Sequence, residues 1–217
     1  MSEGLRRAIF EHRLAPGTKL SEDEVGEVYG VSRTLVRAAL QSLAHSDLVS
    51  IEKNRGAFIA RPSVREAREV FEARALIEPK VANMAAGRIT QENVLSLRDH
   101  LEAEHAANAA GDKGAALSLS GNFHLEIADI ADHQVYSQFV RMLVSRSSLV
   151  IALYWKRPDT TCESHSHMAL VSALEQGDQQ GAEEIMLSHI IDLRSGLDLN
   201  QKASSELSLA EALQRGK

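Results

Sequence analysis

Between Leu20 and Ala60 the chain holds two short helices and a hairpin in one compact stretch, and few folds accept that order. Ser21 followed by Glu24 has the spacing of a capping box and opens a helix reaching about Tyr29. Gly30 permits the turn, and Ser32 is a good N-cap for a second helix through about Ala44. In that helix Val36, Leu40 and Leu43 recur at i, i+4 and i+7 as a buried stripe, while Arg33, Thr34, Arg37 and Gln41 fall on the other side. Leu48–Ile51 and Ala57–Ala60 then read as strands around the polar tip Lys53-Asn54-Arg55-Gly56. Upstream, Leu5, Ala8 and Ile9 share a helical face that ends before Ala15-Pro16-Gly17. Helix, helix-turn-helix and hairpin, in that order, predict a winged helix-turn-helix over residues 1–62.

Arg61-Pro62 reads as a linker, and Ser63 with Glu66 forms another capping box. Everything after it has helical period, with helices expected near 63–87, 91–110, 114–131, 134–157, 162–177 and 179–196 and a more polar tail from about Leu197. The fold class is therefore mainly α: the winged part, then an all-helical antiparallel bundle of six or seven helices over residues 63–217. No apolar run is long enough for a membrane span, and the N-terminus lacks the apolar stretch of a signal peptide. The single cysteine, Cys162, cannot form an internal disulfide, which fits a reducing cytoplasm.

The net charge of −6 looks wrong for a partner of nucleic acid, yet it is unevenly spread. Residues 1–62 hold nine Lys/Arg against eight Asp/Glu, or +1, which leaves fifteen against twenty-two, or −7, for residues 63–217. Phosphate neutralisation is local, so an acidic body does not forbid a DNA-reading face. Arg33 and Arg37 lie one turn apart near the start of the second helix, where a recognition helix meets base edges. An arginine fork can bond guanine O6 and N7 together, worth roughly 1–3 kcal/mol of discrimination. In isolation, two such arginines could equally be a solvated face. The capped turn before them and the basic hairpin tip after them favour DNA.

These residues resemble a known family. LAPGTKLSEDEVGEVYGVSRTLVRAAL and LAHSDLVSIEKNRGAFIA look like the DNA-binding domain of GntR-type regulators over about residues 5–62. The resemblance implies that Arg33, Thr34 and Arg37 contact double-stranded operator DNA. It also implies that Asn54, Arg55 and Gly56 of the wing approach the groove or its phosphates. Leu35 stands where the family usually has Pro, which a helix tolerates in its first turn. Asp23 stands where many members have a basic residue, which removes a contact to DNA.

In the helical half, polar residues on apolar faces carry the signal, because burying them is costly unless they are paired. Arg74 lies on the stripe Ala67, Val70, Phe71, Ile77, Val81, and Arg146 on the stripe Phe139, Met142, Leu149, Val150, Leu153. Either could hold a ligand carboxylate through a bidentate pair; Arg74 could instead pair with Glu78 at i+4. His124, His167 and His189 each share a face with small or apolar residues, and the other six histidines read as surface. His167 and His189 stand at similar distances, on the order of 16 Å, either side of the Gly177-Asp178 turn, so antiparallel helices would bring them level. With a third imidazole from another helix they could ligate a metal, although each histidine taken singly fits an ordinary core or surface position.

EVFEARALIEP, NFHLEIADIADH, HMALVSALEQGD and AEEIMLSHI are similar to the FCD domain of the FadR-type branch of the family, over about residues 64–196. The resemblance implies a divalent metal, Zn²⁺ first with Ni²⁺ or Mn²⁺ as alternatives, held by His124, His167 and His189. The family's usual Asp, one turn before the first His, is Ser120 here, which leaves a coordination position to water or an effector carboxylate. The expected function is a homodimeric, cytoplasmic transcription regulator, a repressor, controlled by a small organic acid. Ligand binding is expected to move the 63–87 helix and, through Arg61-Pro62, the wing. Dimerisation follows because one recognition helix reads too few bases for genomic specificity. A metal-dependent hydrolase using the three histidines is the rival. It lacks an HExxH run, Glu126 faces away from His124, and residues 1–62 go unexplained. A nucleoid-type DNA binder leaves the inward Arg and His residues without a role.

Overall fold

The structure is a computed structural model that describes residues 1–156 and 161–200. Most of the polar tail expected after Leu197 lies outside the described residues, as does the side chain of Cys162. Helix α1 (Ser2–Phe10) buries Leu5, Ala8 and Ile9, as its periodicity predicts. There follow β1 (Lys19–Leu20), α2 (Glu22–Tyr29), α3 (Arg33–His45), β2 (Val49–Glu52) and β3 (Gly56–Ile59). Ser21 caps α2 by accepting from the Glu24 amide at 3.4 Å, and Gly30 ends it in the left-handed conformation at φ 64°. The hairpin pairs Val49 with Ile59 and Glu52 with Gly56, so the tip turn is one residue tighter than expected. Strand β1 has too few residues to show any alternation. It becomes a strand because β3 offers a free edge, with Lys19 opposite Phe58 and Leu20 opposite Ala57.

The remaining elements are α4 (Val64–Ala86), α5 (Gln91–Ala109), α6 (Lys113–Ile130), α7 (Gln134–Tyr154), α8 (Thr161–Glu175) and α9 (Gln179–Ser195). Their starts are chemically marked: Ser63–Glu66 and Thr90–Asn93 form reciprocal capping boxes, and Asp112 and Asp178 cap α6 and α9. Helix α4 packs along α9 and α7, α5 along α6 and α8, and α8 along α9. One apolar core joins these helices around Phe71, Phe123, Ile127 and Leu174. A second core lies under the winged part around Leu5, Ile9, Leu40, Leu43 and Ile59. No helix among the described residues is long and apolar enough to cross a membrane.

The two cores are stitched together. Leu149 of α7 is 1% exposed and packs in the winged core rather than its own. In the other direction Phe10 leans on the helical core. Gly114 of α6 lets Glu11 come close: a Cβ there would stand 2.7 Å from the Glu11 carbonyl oxygen. His12, read as surface in the sequence, is instead half-buried between the halves. Its Nε2–H donates to the Ser148 carbonyl at 3.0 Å. Tyr154 donates to the Pro62 carbonyl at 3.0 Å and so fixes the linker against α7. His100 also departs from the surface expectation, lying 2.8 Å from the Leu119 carbonyl.

Two outcomes follow. Leu149→Ala should lower unfolding stability by about 3 kcal/mol, as for other buried leucines, and should expose the α1–α3 segment to protease before the helical half. A loss below about 0.5 kcal/mol, the range of surface substitutions, would show that Leu149 does not join the cores. Desolvation, only partly offset by the Ser148 carbonyl, lowers the His12 pKa to about 4. The unfolded imidazole takes up a proton near pH 6.5 and the docked one does not until about 4. Stability from this group is therefore full above that window and lost as pH falls through it. His12→Asn, which suits the left-handed φ of 54°, should flatten the acid dependence over that window in thermal melts; an unchanged slope would contradict the docking.

Candidate functional site

Helix α3 turns Val36, Leu40 and Leu43 inward, while Arg33, Thr34 and Arg37 stand in solvent. Both arginines meet carboxylates from the first turn of α2. Arg37 donates from Nε to Glu22 Oε1 at 3.0 Å and from Nη2 to Oε2 at 2.8 Å. That bond holds the Glu22 carboxyl below its ordinary range and raises Arg37. Arg33 pairs through Nε with Asp23 Oδ1. At the wing, Asn54 and Gly56 take positive φ of 64° and 103° and make the tight tip. Arg55 pairs with Glu52, and its guanidinium lies 5.3 Å from the Phe58 ring centre. The outer face of α3 and the hairpin tip are both exposed, on the elements with which winged helices meet a duplex.

The second site is wholly buried. His124 of α6, His167 of α8 and His189 of α9 converge on their Nε2 atoms, 3.2 Å apart for His167–His189 and 3.3 Å for His189–His124. All three ligand atoms lie within 4.8 Å of one another. His167 and His189 therefore stand level, as their similar distances from the Gly177-Asp178 turn predict. Glu104 of α5 lies 3.0 Å from His167 Nδ1. Glu78 Oε2 lies 2.6 Å from His124 Nδ1, close enough for strong attraction though poorly directed for a hydrogen bond. Burial pushes the His124 pKa down to about 4 and His189 well below its ordinary value, so both rings are neutral at pH 7. A neutral ring whose Nδ1–H faces a carboxylate presents a lone pair at Nε2.

These residues fit a divalent metal. Three imidazole nitrogens around Zn²⁺ at about 2.0–2.1 Å in tetrahedral geometry stand about 3.3 Å from each other, the separation seen for two of the pairs. Two buried carboxyl groups back the histidines, Glu78 and Glu104, and only Glu78 is paired with a guanidinium, that of Arg74, an excess of acid that a cation would balance.

Arg74 is 2% exposed and makes the i+4 pair with Glu78 that its sequence position allows. It pairs with Glu78 through Nε and Nη2 and donates from Nη1 to Ser147 Oγ at 3.0 Å. Burial alone would raise the Glu78 carboxyl, but Arg74 and His124 outweigh it and hold the carboxyl at about 2. Arg74 also lines a small cavity with Ser120, His124 and Ser147, closed by Phe10 and His12 from the winged part. Arg146, expected to hold a ligand, instead lies outside this cavity, 3.6 Å from Glu66 of α4 and 3.8 Å from Asp47 in the turn between α3 and β2. Its helix face is not a core face throughout, since Phe139 is 44% exposed.

Glu104 was missed, although it continues the buried stripe Val94, Leu97, Leu101 by one more turn and could have been found there. Phe10 and His12 had no such signal, because their partners are remote in sequence. Glu22 and Asp23 as arginine partners were missed for the same reason.

Residues 69–192 match the family described as the FCD domain, and residues 2–59 match the bacterial regulatory proteins of the gntR family. The HTH-type transcriptional repressor RspR of Escherichia coli (strain K12) is 29% identical over 205 residues, 93% of this chain and 89% of that one. The galactonate operon transcriptional repressor of the same strain is 24% identical over 208 residues, 86% of this chain and 90% of that one. The solved structure of a putative transcriptional regulator GntR from Rhodococcus sp. RHA1 has a TM-score of 0.76 at 23% identity, covering 89% of this chain and 93% of that chain, a likeness in fold. These relatives are named as regulators, which leaves the hydrolase reading without support. The FCD match spans more than half of the chain and the winged match most of the rest, so the chain belongs to the GntR family of transcription regulators that carry an FCD domain, and is not an enzyme.

Proposed function

We propose that this chain is a homodimeric repressor in which residues 1–62 read operator DNA and residues 63–217 bind a small carboxylate effector at a divalent metal. Arg33, Thr34 and Arg37 face the bases, with Asn54, Arg55 and Gly56 at the adjoining groove or phosphates. His124, His167 and His189 hold the metal, Zn²⁺ by donor type. The convergence of three imidazole Nε2 atoms, in a pocket with more carboxyl groups than guanidinium groups, carries this reading. A metal there supplies Lewis-acid affinity for a carboxylate oxygen. Ser120, one turn before His124, is a poor ligand and leaves room on the cavity side. Three of the five N–H donors of Arg74 are taken by Glu78 and Ser147, which leaves two for the effector.

The cavity suggests how binding reaches DNA. Its open space is about 30 Å³, enough for a water or two and too little for an organic acid. An effector must therefore displace a wall. The walls on α4, α6 and α7 belong to the helical core, whereas Phe10 and His12 are attached to the winged part. Displacing them loosens the contact that fixes the recognition helices relative to each other. This route is shorter than one through Arg61-Pro62, which Tyr154 holds in place.

Purified protein should carry about one zinc per chain by elemental analysis, lost in the His124→Ala/His167→Ala/His189→Ala variant. A preparation that takes up neither Zn²⁺, Ni²⁺ nor Mn²⁺ would sink the metal. In gel shifts with the protein's own upstream DNA, Arg33→Ala and Arg37→Ala should each weaken specific retardation by at least about tenfold, with helical circular dichroism unchanged. Binding like the unaltered protein by both would refute the α3 assignment.

A further inference from the structure

Each recognition-helix arginine is gripped from the side. Glu22 engages the Nε and Nη2 edge of Arg37, at 3.0 and 2.8 Å, and Asp23 engages Nε of Arg33. A guanidinium offers five N–H donors in a planar fork. With the Nε edge occupied on Arg37, the Nη1/Nη2 end stays open and points away from α2. Two parallel donors at that end are what guanine O6 and N7 require. Arg33 meets Asp23 at Nε alone, an ion pair without the second contact that Arg37 has, and its Nη end is likewise open.

We propose that Glu22 and Asp23 are positioning residues for base reading: Glu22 clamps Arg37 in a side-on pair and Asp23 holds Arg33 at Nε, so that each presents its end-on fork to a guanine. This rests on the assignment of α3 as the recognition helix. A free arginine must give up rotamer freedom on binding, and a clamped one has already done so. The same carboxylates repel phosphate, so an arginine clamped this way gains little from non-cognate duplex, where the backbone supplies the binding. Both effects favour specificity over affinity. The exposure of the pairs, 64% for the Arg37 side chain and 70% for Arg33, means they contribute little to folding. The carboxylates can be removed without unfolding the chain.

The full-length protein, Glu22→Gln, Asp23→Asn and the double variant would each be put through selection from a randomised duplex library. Affinities would then be measured for the winning duplex of the unaltered protein and for a scrambled one. The double variant should bind the scrambled duplex several-fold tighter, and its cognate-to-scrambled ratio should fall about tenfold. The guanine preference should fade at the positions read by the two arginines. In an Arg37→Lys background, which has no fork to orient, Glu22→Gln should strengthen both duplexes equally. Variants that keep the same sequence preference while binding every duplex tighter would show that the carboxylates act only as charge, and would overturn the proposal. An unaltered protein that enriches no sequence would overturn the reading of α3 itself, and this inference with it.

Discussion

Glu78 is 1% exposed on α4, and a carboxylate in that position persists only where cations or donors compensate for lost water. It finds Arg74 one turn away on its own helix and His124 across on α6. Arg74 in turn reaches Ser147 on α7. One buried charge thereby fixes the relative setting of three helices and the orientation of the first imidazole. Glu104 does the same for His167 from α5. The converging nitrogens owe their geometry to these two acids, which never touch the point of convergence.

That polar knot lies close to the seam between the two halves, where only a small cavity of about 30 Å³ remains beside His124. Leu149 belongs to a helix of one half and the core of the other, while Gly114 admits the backbone of Glu11 where any side chain would intrude. His12 walls that cavity on the winged side and donates to the Ser148 carbonyl. A packed interior responds to intrusion by shifting between discrete arrangements rather than by stretching. A molecule entering beside His124 thus bears directly on the segment that carries α1.

On the outer surface electrostatics take a different form. The chain is acidic overall, and the recognition helix does not escape acidity, since α2 directs Glu22 and Asp23 at its arginines. A binder that gained its affinity from bulk positive charge would have no use for such neighbours. One that depends on forks aimed at particular bases does.

Local periodicity and punctuation determined the order and identity of the elements. The stripe Val36, Leu40, Leu43, the glycine at 30 and the serine caps at 21 and 63 are short-range rules, and each is visible within a few residues. The level placement of His167 and His189 was also legible, because an antiparallel pair joined by a tight turn has only one register. The strand β1, the inward turn of His12, the outward turn of Arg146 and the role of Glu104 were decided by tertiary structure alone. Each depends on what a partner far along the chain offers: a free sheet edge, a carbonyl on α7, acids in the α3–β2 turn and on α4, an imidazole on α8. A sequence records which side chains a helix carries on each face, but which face meets which neighbour is fixed only when the helices pack.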